Sequence, residues 1–433
     1  MSRAKPATAG LAAVERVVSP GGIEAWLVEE ATVPIIVVDL AFRGGAAFDP
    51  PARPGVANLL SGLLDEGAGP YDSEAFQQRL EEHAVELSFH ATRDAIEGNL
   101  RTLAEKRDEA FELLRLAVTE ARLDPEPIGR VGAQVLARIR HNLTEPGAVA
   151  EEAWHAAAFP GHAYGRPVIG TEPSLGAIER EDLVRYRATA FTRDRLIVTV
   201  VGAIDAATLA PALDRIFGAL PASAPAAAIP AIRPAGTGRL EVVPLAVPQT
   251  TLLFGRPGLD RHDPDYIAAT VANHIVGGGT FTARLFTEVR EKRGLAYSVH
   301  TWLDPMRHSA TVMGGLATKN ERAREAIDLV ASEIRRFVAD GPSADELDKA
   351  KKYLTGSYAL NFDSSVKIAR GLKQIRLNDL PIDYIQTRNA QVAAVAPADI
   401  ARASERLFGD GDLFTVAVGE PVGLTATADA AAE

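Results

Sequence analysis

The residue types with the most chemical capacity in this 433-residue chain fall in one short stretch. It begins Gly277-Gly278-Gly279-Thr280-Phe281, continues through Arg284 and Glu288 to Arg290, and ends at Gly294-Leu295-Ala296-Tyr297-Ser298-Val299. A guanidinium such as that of Arg290 clamps a carbonyl or carboxylate with paired N–H donors, and a phenol such as that of Tyr297 donates to a developing oxyanion. Alone, Arg290 would be an ordinary solvated helix charge and Tyr297 an ordinary strand aromatic. The three glycines are expected to take positive φ and bring backbone close to an incoming chain. A helix should follow to about Lys292, capped by Gly294. Alternation beyond it places Leu295, Tyr297, Val299 and Thr301 on one strand face and Ala296, Ser298 and His300 on the other.

Other chemistries lack residues. There is no cysteine, which removes disulfides, thiolate nucleophiles and Cys-ligated zinc. The nine histidines include no two spaced three or four apart, so no helix presents a ready pair of imidazoles. His155 and His162 lie near Glu151 and Glu152 but read as partly exposed loop and helix-end residues. No Gly-x-Ser-x-Gly elbow or P-loop signature is present.

The elements that must hold the stretch are written twice. The apolar run Val33 to Val38 recurs 214 positions later at Val247 to Phe254, and the same offset carries Gly44 to Gly258 and Asp49-Pro50 to Asp263-Pro264. Helical spacing links Phe76, Leu80, Ala84 and Leu87, then Phe111, Leu114, Val118 and Ala121, and in the second half Ile327, Val330, Ile334 and Phe337. Asp340-Gly341-Pro342 should break that last helix, and Ser343 with Glu346 offers a capping box for the next. Each half closes on a β-rich run ending in glycine, at Gly202 and Gly419. An Ala/Pro-rich segment with prolines at 221, 225, 230 and 234 separates them as a semi-rigid spacer. The reading is therefore α+β: an N-terminal domain (1–219), a linker (220–238) and a C-terminal domain (239–433), each a mostly antiparallel sheet with helices packed on one face.

Composition bounds the partners. Hydrophobic residues make up 47% and charged residues 24%, as in globular proteins. A net charge of −11 without a Lys/Arg stripe argues against nucleic acid. No run approaches the about 18 apolar residues of a membrane-spanning helix. The compartment stays open: cytoplasmic as given, periplasmic if a signal peptide preceded Pro6 to Ala13.

The 277–299 stretch closely resembles the glycine-rich loop, helix and strand in the second domain of pitrilysin/insulinase-type peptidases, including bacterial relatives of the mitochondrial processing peptidase. The resemblance runs from about Val17 to Val422. It implies two homologous domains, and roles for Arg290 and Tyr297 in contacting a peptide, with Gly277, Gly278, Gly279, Thr280 and Phe281 beside it. Family enzymes also carry an inverted His-x-x-Glu-His zinc motif on a first-domain helix. The corresponding stretch here is Gly55 to Gly67, where Asn58 and Gly62 stand at the histidine positions, Ser61 at the glutamate, and Arg138 at the third ligand. None is a strong zinc donor, and Arg138 brings a repelling cation. By this resemblance the chain itself holds no metal. A homologous zinc-bearing subunit is expected to pair with it as a heterodimer and supply the metal, while this chain holds the peptide or unfolded polypeptide. The alternative is a structural, assembly or peptide-binding protein of the same fold with no part in hydrolysis.

Overall fold

The computed structural model describes residues 13–279 and 281–426. They form two compact units. The first gathers residues up to 139, 167–228 and 357–387; the second gathers 140–166, 229–356 and the C-terminal part from 388.

The first unit is built on a six-stranded sheet. Its strands are β1 (Glu15–Val18), β2 (Glu24–Glu29), β3 (Ile35–Arg43), β4 (Glu86–Ala91), β5 (Ala95–Leu103) and β6 (Leu196–Gly202), in the order β1-β2-β6-β3-β5-β4. Only β2 and β6 run parallel; every other pairing is antiparallel. The second unit repeats this with β7 (Leu240–Pro244), β8 (Gln249–Pro257), β9 (Ala296–Asp304), β10 (Thr311–Lys319) and β11 (Phe414–Gly419), in the order β7-β11-β8-β10-β9. Again the pair β7/β11 alone is parallel. β3 and β8 begin and end 214 positions apart, so the sequence offset is a structural one. The α+β class holds in both units.

β3 is buried along nearly its whole length, which a strand with one wet face cannot be. Ile36, Val38, Leu40 and Phe42 enter the main core beneath helices such as Val56–Ser61, Arg107–Thr119 and Ala206–Phe217. Val37, Asp39 and Ala41 point the other way, where the helix Ser365–Leu377 covers them with Ala369, Leu372 and Leu377. In the second unit the matching position is taken by the helix Pro146–Ala158, whose Trp154 packs against Phe414 and donates to the Phe414 carbonyl at 3.2 Å. Each sheet thus carries one helix on the face opposite its main layer.

Putting a carboxylate on that second face requires a counter-charge. Asp39 is 3% exposed, and Lys373, also 3% exposed, reaches it at 2.5 Å and Glu97 of β5 at 2.5 Å. Burial pushes the Asp39 carboxyl above its ordinary range, against the pull of Lys373.

Two helix expectations differ. The stripe from Phe76 to Leu87 is not one helix: it stops at Glu82, Ala84 takes a positive φ of 52°, and Leu87 lies on β4. A left-handed residue ends a helix whatever the apolar spacing beyond it. Ala121 lies past the end of Arg107–Thr119, in a short bridge with Ala68. The other signals hold: Ala323–Asp340 buries Val330, Ile334 and Phe337, and Ser343 and Glu346 cap Ala344–Gly356 reciprocally.

Removing Lys373 alone should be costly because two buried carboxylates lose the cation that reaches both at 2.5 Å. We expect Lys373→Met to lower unfolding free energy by about 3–5 kcal/mol in urea titration. Asp39→Asn and Glu97→Gln added to it should restore most of the loss.

Candidate functional site

Arg290 and Tyr297 are brought together in the second unit. The Arg290 guanidinium lies 4.4 Å from the centre of the Tyr297 ring and 4.8 Å from that of Phe286, whose ring meets Phe281 edge-on at 5.2 Å. Tyr297 is 82% exposed and Phe281 69%. The result is a surface of rings around one guanidinium. Thr280 lies outside the described residues.

Two insertions in regular backbone create this arrangement. The helix bearing Arg290 is π-helical over Phe286–Lys292, and a second π turn, His274–Gly278, takes in the first two glycines of the loop. A π turn carries an extra residue and changes which side chains share a face. Gly294, at φ 59°, ends the helix as expected, but its cap is one residue wider than in an α-helix: the Gly294 N–H bonds Arg290 O and the Leu295 N–H bonds Val289 O.

The second insertion is in β9. Leu316 pairs with Val299 and Thr318 with Ala296, so Tyr297 and Ser298 together oppose Ala317. This β-bulge corrects the face assignment made from alternation. Val299 and Thr301 are buried, whereas Tyr297 is out in solvent with Ser298, His300 and Trp302. A bulge re-aims the side chains on either side of it, and here it removes Tyr297 from the core face.

The glycines also differ from expectation. None of Gly277, Gly278 and Gly279 has positive φ; they are needed for space. A Cβ on Gly277 would sit 2.6 Å from Thr301 Oγ1, one on Gly278 2.7 Å from Asn273 Nδ2, and one on Gly279 3.0 Å from His274 Cε1. The loop is packed onto Asn273, which donates to Thr301 O at 3.2 Å. His274 stacks on Tyr353 and His300 on Trp302, and burial lowers the His274 imidazole pKa, favouring the neutral ring.

Glu288 keeps the local charge in order. This buried carboxylate accepts from Lys292 at 2.7 Å and Arg293 at 2.6 Å, with Arg336 at 3.4 Å. Arg284 is bound by Glu346. Among the described residues Arg290 has no carboxylate partner, so its donors stay available.

In the first unit, Asn58 and Arg138 do meet: an Arg138 Nη2–H donates to Asn58 Oδ1 at 2.9 Å. Ser61 Oγ bonds back to Asn58 O, and a Cβ on Gly62 would already press on Val131. A guanidinium therefore stands among the residues that would have to hold zinc, and these residues do not fit a metal. Among the described residues no group of three His, Cys, Asp or Glu is placed to hold one. His155 and His162 are buried, not partly exposed. His162 is a structural pin, accepting from Tyr164 N at 3.1 Å and meeting Pro230 O at 3.0 Å.

Residues 26–172 match the model of the insulinase family of M16 peptidases, and residues 177–354 that of the peptidase M16 inactive domain. The chain belongs to the M16 peptidase family. It is 25% identical to the "Non-peptidase homolog YmxG" of Helicobacter pylori over 86% of each chain. It is 24% identical to a mitochondrial-processing peptidase subunit beta of Blastocladiella emersonii, over 92% of this chain and 87% of that one. A Pseudomonas fluorescens structure described as a peptidase M16 inactive domain superposes with a TM-score of 0.89 at 27% identity, covering 95% of this chain and 99% of that one.

Within this M16 fold, sequence reading missed Phe286 and Glu288. Both had a signal: Phe286 stands four residues before Arg290, and Glu288 four before Lys292, spacings that bring side chains together on a helix. No described helix is long and apolar enough to cross a membrane.

The Glu288 carboxyl is held down at about 2, chiefly by its bond from Lys292, against an ordinary 4.5. A depressed carboxylate stabilises the fold above its unfolded pKa and loses that contribution as pH falls toward the folded one. Between pH 4.5 and 2 the wild-type chain should therefore lose stability progressively. Glu288→Gln should be less stable at pH 7 and show a shallower acid slope by thermal melts across that range.

Proposed function

We propose that this chain is the substrate-holding, non-catalytic subunit of a heterodimeric zinc metallopeptidase. It would present Arg290, Tyr297 and the Gly277 to Phe281 loop to a peptide that a zinc-bearing homologous subunit cuts. The observation that carries the reading is the Arg290–Tyr297 pair itself. Two backbone insertions lift it out of regular packing, and it lies at the surface with no acid, among the described residues, quenching the guanidinium. A side chain kept only for stability has no need of 82% exposure.

The roles follow from the donors. Arg290 offers paired N–H groups to a peptide carbonyl or carboxylate, and the rings of Phe286 and Tyr297 hold it in place while leaving its edge free. Tyr297 carries one O–H, suited to an oxygen that gains charge as an amide is attacked. The glycine loop, without side chains, lets an extended peptide lie close. Asn58, Ser61, Gly62 and Arg138 supply neither a metal site nor a general base, so hydrolysis needs a second chain. The name of the Helicobacter relative is in keeping with that division, and the processing-peptidase relative is named as one subunit of an enzyme.

The purified chain should not cleave unfolded peptides with or without added zinc. Combined with a homologous chain carrying His-x-x-Glu-His, it should do so. Zinc-dependent turnover by the single chain overturns the proposal. In the active pair, Tyr297→Phe should lower kcat by about 10²-fold, the scale of one lost oxyanion donor. Unchanged kcat for that variant, or peptide binding without cleavage in every pairing, would leave the scaffold or peptide-binding reading in its place.

A further inference from the structure

The two units share strand order and pairing senses but differ after their closing strands. In the first unit β6 is followed by the helix Ala206–Phe217, N-capped by Asp205, which packs on the helix Arg107–Thr119 and on β1. It sinks Leu209, Leu213, Ile216 and Phe217 into the core. Its Arg215 reaches Asp108 of Arg107–Thr119 at 3.6 Å. In the second unit, described residues 420–426 after β11 form no helix, and β1 has no counterpart in the sheet.

At the matching place lies a cavity of about 450 Å³ beside Ala323–Asp340, the counterpart of Arg107–Thr119. The two helices align as Glu109-Ala110-Phe111-Glu112-Leu113-Leu114 with Glu325-Ala326-Ile327-Asp328-Leu329-Val330. Its floor is core: Leu252, Phe254 and Leu316 are all buried and still reach it. Its rim includes Arg324, Asp328 and Arg335. In that alignment Arg324 stands where the first unit has Asp108, so the charge facing the place of the missing helix is reversed. Arg324 bonds the Gly423 carbonyl at 3.4 Å and has no carboxylate partner among the described residues.

We infer that this cavity is a docking site for an amphipathic helix of a partner protein. The occupant carries large apolar residues at i, i+4, i+7 and i+8, the pattern that fills the same place in the first unit, and an acidic residue where that unit's helix has Arg215. The apolar side chains fill the cavity and the acid meets Arg324. Residues 427–433 hold no Leu, Ile, Val or Phe and cannot supply that face. The site shares no residue with the Arg290–Tyr297 surface and stands whether or not that surface holds substrate.

The probe is a fluorescein-labelled peptide of the 205–218 sequence with Arg215→Glu and Pro211→Ala, titrated with the full chain and read by anisotropy. Saturable binding is expected, tighter than for the peptide that keeps Arg215. Arg324→Glu should weaken the acidic peptide by about tenfold and invert the preference, a reversal that a misfolded variant cannot produce. Ala331→Trp, which fills the cavity from its rim, should abolish binding without shifting the thermal midpoint. No saturation at millimolar peptide, or binding indifferent to both substitutions, overturns the inference. So does a dimer of the chain alone that Ala331→Trp dissociates, because the occupant is then a second copy.

Discussion

The contact of the Arg290 guanidinium with the Tyr297 ring is the point on which the proposed substrate surface turns. A cation over an exposed ring is worth only about 0.5–1 kcal/mol, too little to hold two side chains against regular backbone. The backbone does the holding. One extra residue in a helical turn and one in a strand place the pair, and the stack refines what those insertions have already set. β-Bulges and π turns cost local hydrogen bonding and persist where surrounding packing enforces them. Here the enforcement comes from Glu288 with its three cations on one side. On the other, the glycine loop is pressed onto Asn273, His274 and Thr301.

Charge is distributed by the same logic. Several buried acids are paired with cations, and among the described residues the cations near the site are taken up by acids except Arg290. Glu288 takes Lys292 and Arg293, Glu346 takes Arg284, and in the first unit Lys373 lies between Asp39 and Glu97. In the position of the degenerate metal motif, Arg138 has only the neutral Asn58 among the described residues. That guanidinium–amide contact offers neither a strong zinc donor nor a general base.

The duplication explains both the regularities and the departures. Equivalent strands keep their order and sense in the two units. Segments after the closing strands are free to diverge, and they do: one unit caps its core with Ala206–Phe217, the other leaves a cavity with reversed charge. Covering both sheet faces also required chain from outside each contiguous half, residues 357–387 in the first unit and 140–166 in the second.

Much of this was readable from residue order. The offset of 214, the glycine-ended closing strands, the Ser343/Glu346 cap and the Gly294 helix end are local signals, set by turn chemistry and side-chain period within a few residues. The missing donors at Asn58, Ser61, Gly62 and Arg138 follow from residue type alone, since Ser, Gly and Arg are poor zinc ligands wherever they lie. Other features needed the tertiary structure. Alternation predicted Tyr297 on the face of Val299, and only pairing with β10 reveals the bulge that turns it outward. The glycines suggested positive φ, yet what excludes a Cβ is Thr301, Asn273 and the preceding turn. Lys373 has no partner within 270 residues on its own side of the chain; it meets Asp39 and Glu97 because a helix crosses the second face of a distant sheet. Local sequence determines what each segment can be, whereas register, space and charge pairing are decided by neighbours the chain brings in from far away.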